Sequence, residues 1–141
     1  MESPNHQKIG GRLHMLVQME LDNLKCDCHA YQPIDLKINE NTVVNPDLSV
    51  ICEDVEKQFY DKPPRLVVEI ISPSSKLKDT ITKYDLYRDF GIKYYLLIDP
   101  EKKSTTLYFL SDNVYELSEP PYVFEMREGF SIGLDLLRLW A

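Results

Sequence analysis

The sequence has no long apolar run and few cysteines, and acidic residues outnumber basic ones. Each of these scarcities excludes a class of protein. None of its 141 residues falls in an apolar stretch near the roughly 20 positions that a membrane-spanning helix needs. The first residues, MESPNHQKIGG, lack the charged-then-apolar order of a secretory signal peptide. We therefore expect a protein that is not inserted in a membrane, with the cytoplasm as its location.

Cysteine occurs only at Cys26, Cys28 and Cys52. Because a disulfide framework uses an even number of cysteines, these residues are expected to be free thiols near the start of a strand. The segment KCDCHAY also places Cys26 and Cys28 beside His29, as half of a zinc site would. No second Cys/His pair follows at zinc-finger spacing, so zinc is the less favoured alternative.

Basic residues are fewer than acidic ones, with 16 Lys and Arg residues against 23 Asp and Glu residues, and the formal net charge is −7. This balance disfavours nonspecific electrostatic binding to nucleic acid, although a local basic face could still provide it. One basic concentration exists, and it forms either such a face or an ordinary solvated helix surface. Its members are Lys76, Lys78, Lys83, Arg88 and Lys93.

The apolar pattern predicts a single α/β domain over residues 1–141, with a mixed sheet flanked by helices. In the first part of the chain, apolar residues recur at helical spacing, and the adjacent Gly10 and Gly11 indicate close packing against that helix. The segment 66–71 is apolar on both faces apart from one acid, as central strands are. The predicted elements are a helix at 5–25, a hairpin of strands 30–38 and 43–52, a strand at 66–71, a helix at about 79–90, a strand at 94–99 and a C-terminal meander ending in a strand or short helix.

Two of the predicted strands carry an acid among aliphatic residues. VVNPDLSVICE contains Asp47, and RLVVEIISPSS contains Glu69. A carboxylate in such a place is normally neutralised, paired or bound to a cation, because burying its isolated charge is costly. Two such acids close together repel unless a cation lies between them, and their hard oxygens suit Mg²⁺ or Mn²⁺. We therefore predict that Asp47 and Glu69 form a metal site.

A lysine and a histidine are candidate members of the same site. Lys83 shares a helix face with Leu86, Tyr87 and Phe90, so its ammonium is predicted to point at the sheet. There it could neutralise the acids and orient a water, or it could form a structural salt bridge or snorkel to solvent. His6 lies on the buried side at the start of the first helix, where a lone histidine is usually a packing or capping residue.

Three segments in this order, NPDLSVICE, LVVEIISPSS and DTITKYDLYRDFGIKYYLLIDPE, resemble the Uma-type family of putative restriction endonucleases. This family lies within the PD-(D/E)XK nuclease superfamily, and the resemblance runs from about His6 to the C-terminus. It implies a restriction-endonuclease-like core in which Asp47 belongs to the PD element and Glu69 is the second acid. Ile71 stands where the superfamily has its lysine, and the resemblance implies that Lys83 replaces that lysine. His6 matches a histidine that similar proteins carry, which would contact phosphate or water.

The resemblance implies a Mg²⁺- or Mn²⁺-dependent endonuclease that cuts DNA, leaves a 5′-phosphate and acts as a homodimer when both strands are cut. Similar proteins have a further strand with a glutamate before the first helix, and this sequence lacks it, which bears on activity. The rival interpretation is a catalytically weak or inactive nuclease-fold module for DNA binding or assembly. A third is a structural domain with a buried Glu69–Lys83 pair, where Glu69→Gln would lower stability by about 3–5 kcal/mol.

Overall fold

The computed structural model describes residues 3–72 and 77–141, and the side chains of residues 77–79 are not part of that description. Six strands separate the two α-helices, and strands dominate the second half of the chain. In chain order the elements are α1 (Pro4–Leu24), β1 (His29–Tyr31), β2 (Asp35–Asn39), β3 (Thr42–Val44), β4 (Leu48–Ile51), β5 (Phe59–Tyr60), β6 (Leu66–Ile70), α2 (Leu77–Phe90), β7 (Tyr94–Asp99), β8 (Ser104–Ser111), β9 (Val114–Ser118), β10 (Tyr122–Arg127), β11 (Phe130–Leu134) and a 3₁₀ helix (Leu136–Trp140).

The central sheet has six strands in the order β1-β4-β6-β7-β8-β9. Strands β6 and β7 run parallel, and every other neighbouring pair is antiparallel, so the sheet is mixed. All five residues of β6 are buried, which agrees with its apolar sequence and its place in the middle of the sheet. The predicted α/β fold, a mixed sheet flanked by helices, is confirmed.

Two apolar clusters cover the two faces of this sheet. On one face the buried stripe of α1, formed by Ile9, Leu13, Val17 and Leu21, packs with β10, β11 and the 3₁₀ helix. On the other face α2 packs through Tyr87 with residues of β2, β5 and β9. No helix in the described ranges combines the length and apolar character that crossing a bilayer requires.

The start of α1 is fixed firmly against the sheet. Ser3 caps the helix, its hydroxyl oxygen accepting a hydrogen bond from the His6 backbone N–H at 3.1 Å. A side chain at Gly10 would lie 3.6 Å from Ile70 Cδ1, so the close packing predicted at the glycine pair is confirmed there. A side chain at Gly11 would meet nothing within 4 Å. The cap and this contact place His6 beside the end of the sheet.

The predicted hairpin of residues 30–38 and 43–52 is wrong in one respect, because each of its arms divides between two sheets. The start of the first arm, β1, pairs with the end of the second arm, β4, in the central sheet. The remainder pairs as β2 with β3 in a three-stranded sheet of order β3-β2-β5. Pro33 and Pro46 lie at the two interruptions, where the missing N–H of proline prevents a continuous ladder.

The predicted free thiols are also wrong for two of the three cysteines. Cys28 and Cys52 form a disulfide, and Cys26 is the free cysteine of the described residues. The pairing follows from the β1–β4 register: His29 lies opposite Ile51, so the preceding and following residues come together. An odd cysteine count excludes complete pairing but allows one bridge, and this is why the count alone misled.

Candidate active site

Asp47 and Glu69 lie at the same end of the central sheet. Asp47 directly precedes β4, and Glu69 is the penultimate residue of β6. These strands are antiparallel with Leu48 opposite Val68, so continuing the register by one residue sets Asp47 opposite Glu69. The two acids that the sequence singled out are therefore brought together by strand pairing.

Asp47 is held by the backbone of β6 and by α1. Its Oδ2 accepts a hydrogen bond from the Ile70 N–H at 2.7 Å. Its Oδ1 lies 3.4 Å from His6 Nε2, and the two side chains are 16% and 11% exposed. The inward direction predicted for His6 is confirmed, and its neighbour in the described structure is the first acid of the site.

Glu69 is held from the opposite face by α2. Its side chain is 11% exposed, and its Oε2 accepts a hydrogen bond from the Tyr87 hydroxyl at 2.5 Å. The Lys83 ammonium lies 3.3 Å from the same oxygen. Lys83 and Tyr87 are four residues apart and thus adjacent on the helix surface, so a single face of α2 supplies both donors. The predicted direction of Lys83 toward the sheet is confirmed.

Burial raises the pKa of the Glu69 carboxyl above its ordinary value, because the ionised form loses its hydration. Lys83 and the hydrogen bond from Tyr87 lower that pKa, whereas the nearby charge of Asp47 raises it. Burial also raises the pKa of Tyr87, and Glu69 raises it further. The phenol thus remains protonated and acts as a donor, and the two carboxyl groups repel each other.

Two recesses meet at Ile70. The first, of about 300 Å³, opens beside α1 and leads to Asp47. The second holds about 30 Å³ and lies between Glu69, Lys83 and Thr80. Gln7 and Gln32 contribute two neutral amides to the wall of the first recess. Gly11 also lines this recess, and because it has no side chain it adds no bulk to the wall. Asp47 is therefore reachable by a ligand from outside, and Glu69 is more enclosed.

The four residues predicted from sequence form two pairs at one end of the sheet, His6 with Asp47 and Lys83 with Glu69. From sequence, Tyr87 was expected mainly to pack in the core, because it lies on the apolar face of α2, and a hydrogen bond near the site was the less favoured alternative. Its spacing of four from Lys83 was the available signal that its hydroxyl could reach the same acid. The Ile70 N–H was missed, and no side-chain pattern could have revealed it.

The basic face suggested by residues 76–93 is not formed by its described members. Lys83 contacts Glu69, Arg88 pairs with Asp85 and Asp89, and Lys93 lies 3.5 Å from Glu125. Lys76 and the side chain of Lys78 lie outside the described residues. Each of these three cations therefore has an acidic neighbour, and Lys83 points at the sheet and not at solvent.

Within residues 3–72 and 77–141, no three His, Cys, Asp or Glu side chains are grouped closely enough to hold a metal by themselves. The zinc alternative at Cys26, Cys28 and His29 is also contradicted, because Cys28 is bonded to Cys52. A metal at the sheet end would have the two carboxylates of Asp47 and Glu69 as its side-chain ligands.

Known proteins resemble this chain in sequence and in fold. The chain is 33% identical over 117 residues to the uncharacterized protein slr1290 of Synechocystis sp. (strain ATCC 27184 / PCC 6803 / Kazusa). That match covers 79% of this chain and 60% of the relative, so the chain spans well under the full length of that protein. A crystal structure of a putative nuclease belonging to DUF820 from Anabaena variabilis ATCC 29413 superposes with a TM-score of 0.76 at 18% identity.

That superposition covers 100% of this chain and 84% of the other, which establishes a nuclease-like fold, so the predicted restriction-endonuclease-like core is confirmed. In addition, residues 1–138 match the Uma2 family, whose members are described as putative restriction endonucleases. The match spans nearly the entire chain, including both acids and both helices of the site. The chain belongs to the Uma2 family of putative restriction endonucleases.

Proposed function

We propose that this chain is a metal-dependent endonuclease that hydrolyses phosphodiester bonds of DNA at the end of the sheet where Asp47 and Glu69 lie. The observation that carries the proposal is the convergence of four polar groups from separate elements. Strand register sets the two acids opposite each other, α1 brings His6 to Asp47, and α2 brings Lys83 to Glu69. Membership of the Uma2 family supports the same activity.

The donor set fits Mg²⁺ or Mn²⁺. Both acids offer hard carboxylate oxygens, and Mg²⁺ is usually held by one or two carboxylates together with waters and substrate phosphate oxygens. A third protein side chain is therefore not required. In this proposal Asp47 and Glu69 hold the ion, which when bound would polarise the phosphate and lower the pKa of a water molecule.

The other side chains would position the reacting groups. Lys83 is 29% exposed, so its ammonium can reach beyond Glu69 to hold a water or a phosphate oxygen. Water would attack the phosphorus in line, the bond to the 3′ oxygen would break, and that oxygen would take up a proton. The products would be a 3′-hydroxyl and a 5′-phosphate. His6 would steady Asp47 and contact phosphate or water in the recess beside α1.

The rival function, a nuclease-fold module with weak or no catalysis, is favoured by two observations. Ile71 occupies the position at which the superfamily carries its lysine. The described residues also lack a three-member group of metal-binding side chains. A module of this kind would bind DNA or assemble with a partner without cutting. It would have no need for divalent metal at Asp47 and Glu69.

The test is cleavage of supercoiled plasmid by the purified chain in Mn²⁺, in Mg²⁺ and in EDTA, with an RNA of similar length as a second substrate. We expect nicking of the plasmid that requires metal and yields ligatable 5′-phosphate ends. DNA binding without cleavage in any metal would favour the rival module, and cleavage that persists in EDTA would contradict the metal role. If both DNA strands are cut, we further propose a homodimer, since each site would cut one strand.

A further inference from the structure

Tyr87 makes the closest described contact to Glu69, although the proposed chemistry gives it no role. Its hydroxyl donates to Glu69 Oε2 at 2.5 Å, whereas the Lys83 ammonium lies 3.3 Å from that oxygen. The Tyr87 side chain is fully buried at 0% exposure. Because this buried hydroxyl donates a hydrogen bond to a candidate metal ligand, Tyr87 has a role beyond packing in the core.

The two donors on Oε2 differ in freedom. The Tyr87 ring packs edge-on against Tyr95, with ring centres 5.0 Å apart, and it sits in the apolar cluster under α2. Its hydroxyl position is therefore set by packing on all sides. Lys83 has a long flexible side chain and is 29% exposed. One donor is thus fixed, and the other can move away.

We infer that Tyr87 is a positioning residue that orients the Glu69 carboxylate for metal binding. Its fixed hydroxyl holds Oε2 toward α2, which would leave Oε1 available to an ion. With an ion held by Glu69, Lys83 could turn from Oε2 to water or phosphate while Tyr87 kept its hydrogen bond. This inference rests on the proposed function. Groups that hydrogen-bond to metal-ligating carboxylates commonly change metal affinity by about 10- to 100-fold when removed.

Tyr115 provides a matched control for a Tyr87→Phe variant. It belongs to the same cluster, is 5% exposed, and its hydroxyl donates to the Ile92 carbonyl oxygen at 2.6 Å. Tyr115→Phe therefore removes one buried tyrosine hydrogen bond without touching Glu69. A difference in Mn²⁺ affinity between the two variants would therefore come from the contact with Glu69, because the loss of one buried hydroxyl hydrogen bond is common to both.

The experiment is calorimetric titration of the full chain with Mn²⁺ for the wild type, Tyr87→Phe, Tyr115→Phe and Glu69→Gln. We expect Tyr87→Phe to bind Mn²⁺ about 10- to 100-fold more weakly than the wild type. Tyr115→Phe should match the wild type, and Glu69→Gln should lose the site. In cleavage assays, excess Mn²⁺ should restore most of the Tyr87→Phe rate, because the defect is in metal affinity.

Equal affinities for Tyr87→Phe and the wild type, with binding lost in Glu69→Gln, would overturn the inference and leave the metal site intact. Equal weakening by Tyr87→Phe and Tyr115→Phe would also overturn it, since the effect would then be a general packing defect. A wild-type chain that binds no Mn²⁺ would contradict the proposed function itself, and the positioning role with it.

Discussion

The interpretations of this chain differ most in the role that they give to Glu69. It lies in a strand that is otherwise apolar, and Lys83 and Tyr87 surround one of its oxygens. Burial is the dominant influence and raises its pKa. Lys83 and the hydrogen bond from Tyr87 act against that rise, because both favour the ionised carboxylate. If burial prevails, the neutral form of Glu69 is favoured in the folded protein, and if Lys83 prevails in a structural ion pair, the charged form is favoured.

These alternatives predict opposite effects of pH on stability. A carboxyl whose folded pKa is raised contributes stability that is fully present below its unfolded pKa and is lost as pH rises through the folded pKa. Glutamine mimics the neutral form at all pH values. In EDTA, we expect the free energy of unfolding of the wild type to fall relative to that of Glu69→Gln as the pH rises above about 4.5, the ordinary pKa of a glutamate.

Urea unfolding of both proteins from acid to alkaline pH measures the difference. If Glu69→Gln is instead the less stable protein at neutral pH and this deficit disappears as the pH is lowered below about 4.5, the Glu69–Lys83 contact is a structural salt bridge. That outcome would favour the purely structural interpretation of the site.

The sequence predicted the four site side chains because each breaks a local pattern. Asp47 and Glu69 interrupt apolar strands, Lys83 interrupts an apolar helix face, and His6 lies at the end of a buried stripe. Tyr87 breaks no pattern, because a tyrosine on a buried face fits the core, and its hydroxyl becomes visible only in three dimensions. The Ile70 N–H that holds Asp47 belongs to the backbone and carries no sequence signal.

At the scale of elements, strands with apolar residues on both faces were predicted best. The structure places β6 and β7 within about a residue of their predicted bounds, 66–71 and 94–99. The first hairpin was predicted less well, since local periodicity shows that a segment is extended but not which strand it pairs with. The C-terminal segment contains both alternatives, a strand at Phe130–Leu134 followed by a 3₁₀ helix.

The disulfide that joins Cys28, just before β1, to Cys52, just after β4, can be tested by alkylation. The chain is unfolded in guanidinium without reductant and treated with iodoacetamide, and its intact mass is measured. We expect one adduct, on Cys26, and three after prior reduction, because Cys28 and Cys52 are bonded. Reduction should also lower the free energy of unfolding by about 3 kcal/mol, since the bridge spans 24 positions. Three adducts without reductant would contradict the bridge.

For the whole molecule, the three-layer arrangement explains how one site draws on both faces of the sheet. The first layer contributes His6 through α1, the central sheet contributes the two acids, and the layer containing α2 contributes Lys83 and Tyr87. The net charge of −7 and the pairing of Lys83, Arg88 and Lys93 with acids mean that nonspecific attraction supplies little of any DNA binding. Divalent cations bound at Asp47 and Glu69 would offset part of the repulsion between these carboxylates and the phosphates of DNA. DNA binding is therefore expected to depend on metal.

The central claim is that Asp47 and Glu69 together form the catalytic site, and its most direct test compares conservative variants in one plasmid-cleavage assay with Mn²⁺. Asp47→Asn and Glu69→Gln keep the shape of each side chain and remove its charge. Asp35→Asn and Glu125→Gln are the matched controls, since Asp35 contacts Asn45 and Glu125 pairs with Arg65 and Lys93. All four variants are first shown by circular dichroism to be folded.

We expect the wild type and both controls to nick the plasmid at similar rates, while Asp47→Asn and Glu69→Gln each lose at least about 100-fold in rate. Cleavage by all five proteins at equal rates, or by none of them, would contradict the central claim.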